Sequence, residues 1–234
     1  MKTTIFCQNS IGLLILAGGS ARRMGRDKAT LTIGNRTFAE QLLSAMGEYD
    51  EKLFSVSSAR PVTSGGPAIL VTSDSSRIPE GFEIVEDDDR FKGMGPAAGI
   101  ATALRLCKSR WLMVVPCDAP FVDQEVARTL WEKALRQGRK GQAEITKGQA
   151  EVTKGQKRVP VLASGPKGPE PLIGLYPKDV CGLMEKRLLA GKRKVIEIIE
   201  DTGYIQVPID SKKLLNINSP EDYRAIRENS TKYE

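Results

Sequence analysis

Ile11-Gly-Leu-Leu-Ile-Leu-Ala-Gly-Gly-Ser-Ala-Arg-Arg-Met-Gly-Arg-Asp-Lys28 is the stretch on which the fold turns. Its opening is a continuous apolar run, the pattern of a strand buried on both faces of a parallel sheet; a strand with one wet face would alternate. The run stops at Gly18-Gly19 and gives way to small residues and the cations Arg22, Arg23, Arg26 and Lys28. Glycine lets backbone N–H groups approach phosphate oxygens, an arginine grips two oxygens at once, and a lysine supplies a point charge. The stretch therefore reads as a buried strand followed by a loop suited to polyphosphate. Neither GxGxxG nor GxxxxGK[ST] fits, because Gly18 and Gly19 are adjacent and the next glycine is Gly25. On composition alone the same residues also suit a basic surface turn.

Outward from this loop the chain alternates. Phe38, Leu42, Leu43 and Met46 recur at helical spacing over 37–46, and Leu53 to Val56 returns to a strand-like run. Residues 60–80 are rich in Ser, Gly and Pro around a short apolar run, 68–71, and carry no clear pattern. Phe82 to Val85 reads as a strand running into the four acids Glu86 to Asp89. Gly93 to Gly99 opens a helix ending near Leu106, and Trp111 to Val115 is a second buried strand, stopping at Pro116-Cys117-Asp118. Asp123 has the position of an N-cap, with Val126, Leu130 and Ala134 on one helical face. Further on, Val159 to Ala163 and Pro171 to Tyr176 are strand candidates around a turn at 164–169. Helices are expected at 180–189 and 195–199, and short strands at 204–207 and 214–217. Ser219-Pro220-Glu221-Asp222 has the grammar of a helix start: an N-cap, proline at the first turn, and acids against the positive end. This order predicts an α/β fold: a single three-layer α/β/α sandwich over 1–234 with a mainly parallel sheet, its ligands over the carboxyl ends of the strands. Residues 140–156 repeat almost literally as KGQAEIT, KGQAEVT, KGQ. Glycine in every copy and one large apolar residue per copy argue against a coiled coil, so the segment reads as a duplicated surface loop, an insertion or extended hairpin at about 139–170.

Composition narrows the chemistry. The 234 residues include no histidine, which removes Ser-His and Cys-His dyads, HExxH zinc sites and any imidazole base. Catalysis must run on carboxylates, cations, backbone amides or a metal. The four cysteines, Cys7, Cys107, Cys117 and Cys181, form no CxxC pair and read as packing residues of a reducing compartment. No apolar run approaches the roughly 20 residues of a membrane span, and no export signal is visible, so a soluble cytoplasmic protein with no membrane partner is expected. Lys and Arg exceed Asp and Glu by 35 to 29, but only 6% of residues are aromatic and the charges are interspersed. That balance suits small phosphorylated ligands, and no nucleic-acid partner is expected.

The loop LAGGSARRMGRDK is similar to the signature LAGGxSxRMGxDK of nucleotidyltransferases related to molybdenum cofactor guanylyltransferase. VEDDD at Val85 to Asp89, GPAAG at Gly95 to Gly99, VVPCDAPF at Val114 to Phe121, EPLIGLYP at Glu170 to Pro177 and LLNINSPEDY at Leu214 to Tyr223 resemble that family's later blocks, in order. The resemblance spans nearly the whole chain and implies a Rossmann-like nucleotidyltransferase fold. It implies transfer of GMP from GTP to the terminal phosphate of molybdenum-molybdopterin, giving the guanine dinucleotide cofactor and pyrophosphate, with Mg2+ as cofactor. Carried over by position, it puts Leu16, Ala17, Gly18 and Gly19 against the nucleotide, Lys28 on its phosphates, Arg22 as a triphosphate clamp, Asp87 near base or ribose, and Asp118 on Mg2+. Asn218 would lie near the second substrate or the metal. Four adjacent acids leave the register open by one residue, so which of Glu86 to Asp89 contacts the nucleotide stays open, and Asp118 and Asn218 also suit simple turns. Molybdopterin-delivering proteins and recipient molybdoenzymes are the implied protein partners.

The chain departs from the family at Ser55-Val56-Ser57-Ser58, where a guanine-recognising Asn pair is common, and at Ala97, where a larger residue is usual. A CTP-using sister enzyme and a catalytically silent nucleotide-binding protein of the same pathway are the competing readings. A basic nucleic-acid-binding module is a third, supported only by the basic excess and the Lys-bearing repeat.

Overall fold

The computed structural model describes residues 11–16, 31–47, 51–56, 83–137 and 158–230. Strand β1 (Ile11–Leu16) is buried along its whole length, as its unbroken apolar run requires. A small antiparallel pair, β2 (Thr32–Ile33) and β3 (Arg36–Thr37), turns at Gly34, whose φ of 57° is one that glycine adopts without strain. Thr37 then caps α1 (Phe38–Met46): its hydroxyl accepts from the Glu40 amide, and the Glu40 carboxylate accepts from the Thr37 amide. Strands β4 (Glu51–Val56), β5 (Glu83–Glu86) and β6 (Trp111–Pro116) follow, with α2 (Pro96–Leu106) between β5 and β6. Asp123 caps α3 (Gln124–Arg136), accepting from the amides of Glu125 and Val126. The chain continues through β7 (Val161–Gly165), β8 (Gly168–Pro177), α4 (Cys181–Leu189), α5 (Val195–Ile199), β9 (Ile205–Pro208) and α6 (Pro220–Ser230).

The main sheet has the order β5-β4-β1-β6-β8-β7-β9. β5, β4, β1 and β6 are mutually parallel, β8 runs against both β6 and β7, and β7 is parallel to β9. Side chains alternate across it as the pleat demands. Ile11, Leu13 and Ile15 of β1, with Trp111, Met113 and Val115 of β6, meet α1 and α3 on one face. Leu14, Leu112 and Val114 meet α2, α4 and α5 on the other. Two cores on one sheet make the expected three layers. Where β7 and β8 pack, Gly174 permits the approach: a Cβ there would lie 2.8 Å from the Val161 carbonyl oxygen and 2.8 Å from Leu162 Cδ2.

Two local expectations change. The turn expected over 164–169 shrinks to residues 166 and 167, because β7 and β8 stay paired out to Gly165 and Gly168 across a register shift after Leu162. Residues 214–217 are no strand: 211–214 turn, with the Lys213 and Leu214 amides bonding back to Asp210 and Ser211, and the chain then crosses to the end of β6. The β2–β3 pair had no strand signature of its own. The apolar run 68–71 and the repeat at 140–156 lie outside the described residues. Among the described residues, no helix is long and apolar enough to cross a membrane.

Candidate active site

The parallel strands β5, β4, β1 and β6 end on one edge of the sheet, and the sequence places an acid just beyond two of them. At the end of β1, the Leu16 carbonyl accepts the Cys117 amide at 2.9 Å, which ties the start of the glycine-rich stretch to the turn carrying Asp118. Asp118 is half-buried there, and its main-chain carbonyl accepts the Ile217 amide at 2.8 Å. Asn218 follows directly; its amide donates to an Asp222 carboxylate oxygen at 3.0 Å, as does the Ser219 amide at 2.9 Å. The structure thus brings Leu16, Asp118 and Asn218 to one place from three parts of the chain.

Beyond β5 the acids separate into distinct roles. Asp88 is held in place: its amide donates to Thr102 Oγ1 of α2 at 3.1 Å, and its carboxylate pairs with Arg90 at 2.9 Å and Arg105 at 2.7 Å. The hydrogen bonds from Arg90 are the main reason its carboxyl titrates low, at about 2. Both arginines reach Glu185 of α4, so the turn is braced from two helices. Asp89 is exposed and begins a short 3-10 turn. Asp87 is the odd one out: both carboxylate oxygens are buried, with no hydrogen-bond partner among the described residues. Burial pushes its carboxyl up to about 6, against a smaller opposing pull from Lys92. An acceptor pair buried and unmatched is an arrangement that a ligand with two donors would complete. After this turn, Gly93 and Gly95, at φ of 76° and 77°, swing the chain into α2, whose N-terminus has no side-chain cap.

β4 and β1 lie between β5 and β6. At roughly 4.8 Å per strand spacing, Asp87 and Asp118 sit on the order of 14 Å apart, too far to share one cation but a span that a nucleoside triphosphate can bridge. Among the described residues no group of three or more acids or cysteines converges as a metal cage. A single strand-end carboxylate does suit Mg2+, which keeps several waters and takes its remaining ligands from substrate phosphates. Ala17, Gly18, Gly19, Arg22 and Lys28 lie outside the described residues. Residue-by-residue reading overlooked Thr102 and Arg105, which brace the Asp88 turn, and Ile217 and Tyr223; the last two stand inside the LLNINSPEDY block, so the block was visible although their contacts were not.

A parallel-strand edge of this kind, with separated carboxylates and a glycine- and cation-rich stretch after the first strand, defines a nucleotide-handling α/β protein of nucleotidyltransferase type. Residues 13–204 match the family described as MobA-like NTP transferase domain, and the chain belongs to that family. It is 31% identical over 225 residues to a protein of Carboxydothermus hydrogenoformans named probable molybdenum cofactor guanylyltransferase, covering 93% of this chain and 95% of the relative. A molybdenum cofactor guanylyltransferase of Pseudomonas syringae pv. tomato is 28% identical over 227 residues, with 94% of each chain covered. In fold, the chain resembles molybdopterin-guanine dinucleotide biosynthesis protein A from Archaeoglobus fulgidus, with a TM-score of 0.67 at 22% identity over 94% of this chain and 99% of that one. It also resembles 2-C-methyl-D-erythritol 4-phosphate cytidylyltransferase from Thermus thermophilus, with a TM-score of 0.57 at 13% identity over 93% and 98%.

Proposed function

We propose that this protein transfers GMP from GTP to the terminal phosphate of molybdenum-molybdopterin, releasing pyrophosphate. The observation that carries the reading is similarity along almost the whole chain to relatives named molybdenum cofactor guanylyltransferase. The buried, unmatched oxygens of Asp87 support the choice of base. The guanine edge offers N1–H and the 2-amino group side by side, two donors for two carboxylate oxygens. Cytosine offers one amino donor beside acceptors, which would leave an Asp87 oxygen unpaired at a cost of about 1–3 kcal/mol. Asp87 can thus supply base discrimination that the Ser55-Val56-Ser57-Ser58 stretch lacks.

The reaction needs no general base, which agrees with a chain without histidine. A phosphate monoester with second pKa near 6 is largely dianionic at neutral pH. One of its oxygens forms a bond to the α-phosphorus of GTP while the bond to the bridging oxygen of the β-phosphate breaks, and pyrophosphate leaves in line with the attack. Bound at Asp118, Mg2+ would supply charge neutralisation on the phosphates. Leu16, Ala17, Gly18 and Gly19 contact the nucleotide, and Arg22 and Lys28 hold the triphosphate in line against mutual repulsion. Asn218, beside the Asp118 turn, faces the second substrate. The test is pyrophosphate release with Mg2+ and molybdenum-loaded molybdopterin, with GTP, CTP and ATP in parallel. Release with GTP alone is expected; preference for CTP assigns the protein to the sister branch, and silence with all three refutes nucleotidyl transfer to this acceptor.

A further inference from the structure

Thr102 is out of keeping with its surroundings. It lies in the middle of α2, where Ala97 to Leu104 are all buried, and only 1% of it is exposed. A hydroxyl in such a place costs free energy unless it is hydrogen-bonded, and valine would fill nearly the same volume without that cost. Thr102 Oγ1 accepts the Asp88 amide at 3.1 Å. That amide belongs to the peptide group joining Asp87 to Asp88, so the hydroxyl fastens the backbone where the Asp87 side chain leaves it. Arg105, three residues further along the same helix, takes the next side chain. Its guanidinium lies 2.7 Å from Asp88 Oδ2, while Arg90 donates to both Asp88 oxygens at 3.0 and 2.9 Å. Glu185 holds the two arginines from α4, at 3.6 and 3.3 Å. The Asp87 carboxylate next door is in the opposite state, buried with no hydrogen-bond partner among the described residues. A carboxylate left so gains by turning out to water, and what opposes that turn is the anchored peptide beside it.

We infer that Thr102 and Arg105 are positioning residues for base selection, holding the two Asp87 oxygens inside the fold and unmatched until a ligand with two adjacent donors arrives. The inference rests on the reading of Asp87 as the acceptor for N1–H and the 2-amino group of guanine. Thr102 acts through the backbone amide of Asp88, and Arg105 through the Asp88 carboxylate and Glu185. Their part is preorganisation: folding, not binding, meets the cost of keeping the acceptor pair in place, so the donors of the correct base count in full.

Inosine triphosphate keeps N1–H and lacks the 2-amino group. The ratio of its Kd to that of GTP, measured by calorimetry with Mg2+, therefore reads the pairing with Asp87. One hydrogen bond to a charged acceptor corresponds to a ratio of about 10–100 in the wild type. Thr102→Val keeps the shape and removes the hydroxyl, and the ratio is expected to fall by about tenfold, toward one. Thr102→Ser, which keeps the hydroxyl, should stay within about twofold of the wild type. Arg105→Met loosens the same turn from its exposed side and should lower the ratio roughly two- to fivefold; it carries the test should the valine variant not fold. A merely structural role weakens both nucleotides equally and leaves the ratio where it was. In a wild type that discriminates, an unchanged ratio in folded Thr102→Val or in Arg105→Met overturns this inference alone. A wild type that binds the two nucleotides equally overturns the reading of Asp87 as the base contact and this inference with it. One that binds neither overturns the guanylyltransfer reading as well.

Discussion

Asp87→Asn should make the protein more stable and a poorer enzyme, and the size of the first effect follows from the burial of the carboxylate. Its carboxyl titrates at about 6 instead of 3.8, close to two pH units. At 1.36 kcal/mol per unit this is about 3 kcal/mol of strain on the charged form. Because the residue as a whole is only half-buried, about 1–2 kcal/mol is a fair expectation. Asparagine has nearly the shape of the protonated acid and is equally polar, so the substitution removes charge and little else. For a chain of this length the gain corresponds to roughly 2–8 °C in melting midpoint at pH 7.5. The pH dependence has a definite sign. A folded pKa above the unfolded one means that the stability Asp87 can contribute is full below about 4 and is lost as pH rises through about 6. The advantage of the variant is therefore complete above pH 6–7 and fades to nothing near pH 4. Asp88, whose carboxyl titrates at about 2, contributes stability above 3.8 that is lost only in stronger acid, and does not blur this window. Melts by circular dichroism at pH 7.5, 6 and 4.5 measure the difference, and GTP kinetics at pH 7.5 should show a loss of about 10–100-fold in kcat/KM, the range of a charge-assisted hydrogen bond. A variant that melts no higher at pH 7.5, or whose gain persists at pH 4.5, refutes the argument that the carboxylate is buried without compensation.

Asp118→Ala should abolish transfer, with a fall of roughly 10³-fold or more in kcat, while the melting midpoint moves little, since the side chain belongs to neither core; substantial Mg2+-dependent turnover would show that the metal carboxylate lies elsewhere. Deleting one KGQAEIT copy, residues 140–146, should leave GTP affinity within about twofold by calorimetry, and a lost site would place the repeat in the pocket. Gly174→Ala drives a Cβ to 2.8 Å from the Val161 carbonyl oxygen and should cost about 1–3 kcal/mol in denaturant unfolding; an unchanged midpoint would show that β7 and β8 can separate freely.

Much of the architecture was written in local patterns. Ile11 to Leu16 and Trp111 to Val115 are apolar without interruption because both faces of the sheet are covered, and such runs admit few other folds. Asp123 and Ser219 announced their helices by side-chain chemistry, and α1 was announced by the spacing of its apolar residues. What local pattern could not convey was pairing between distant segments. The reversal of β8 against β6 depends on the extended β7–β8 hairpin, and residues 214–217 have a strand's composition yet serve as a crossing. Four adjacent acids left the register of the β5 end ambiguous in sequence; the structure separates them because Arg90, Arg105 and Thr102 satisfy Asp88 and leave Asp87 without described partners. The contacts of Ile217 and Tyr223 were invisible for the same reason, since each joins segments that no periodicity connects.

The hydrogen bond from the Tyr223 hydroxyl to the Thr32 carbonyl, at 2.8 Å, sets a clock. The two residues stand 191 positions apart, so at roughly 5–20 residues per second the carbonyl waits on the order of 10–40 s of translation for its hydroxyl. Throughout that interval β2 exists without the residue that fastens it. Truncation just before Tyr223 would remove that bond while sparing both cores of the main sheet, whose described members end at Leu214. The main sheet is complete only once β9 has been made, and this fastening of β2 comes later still.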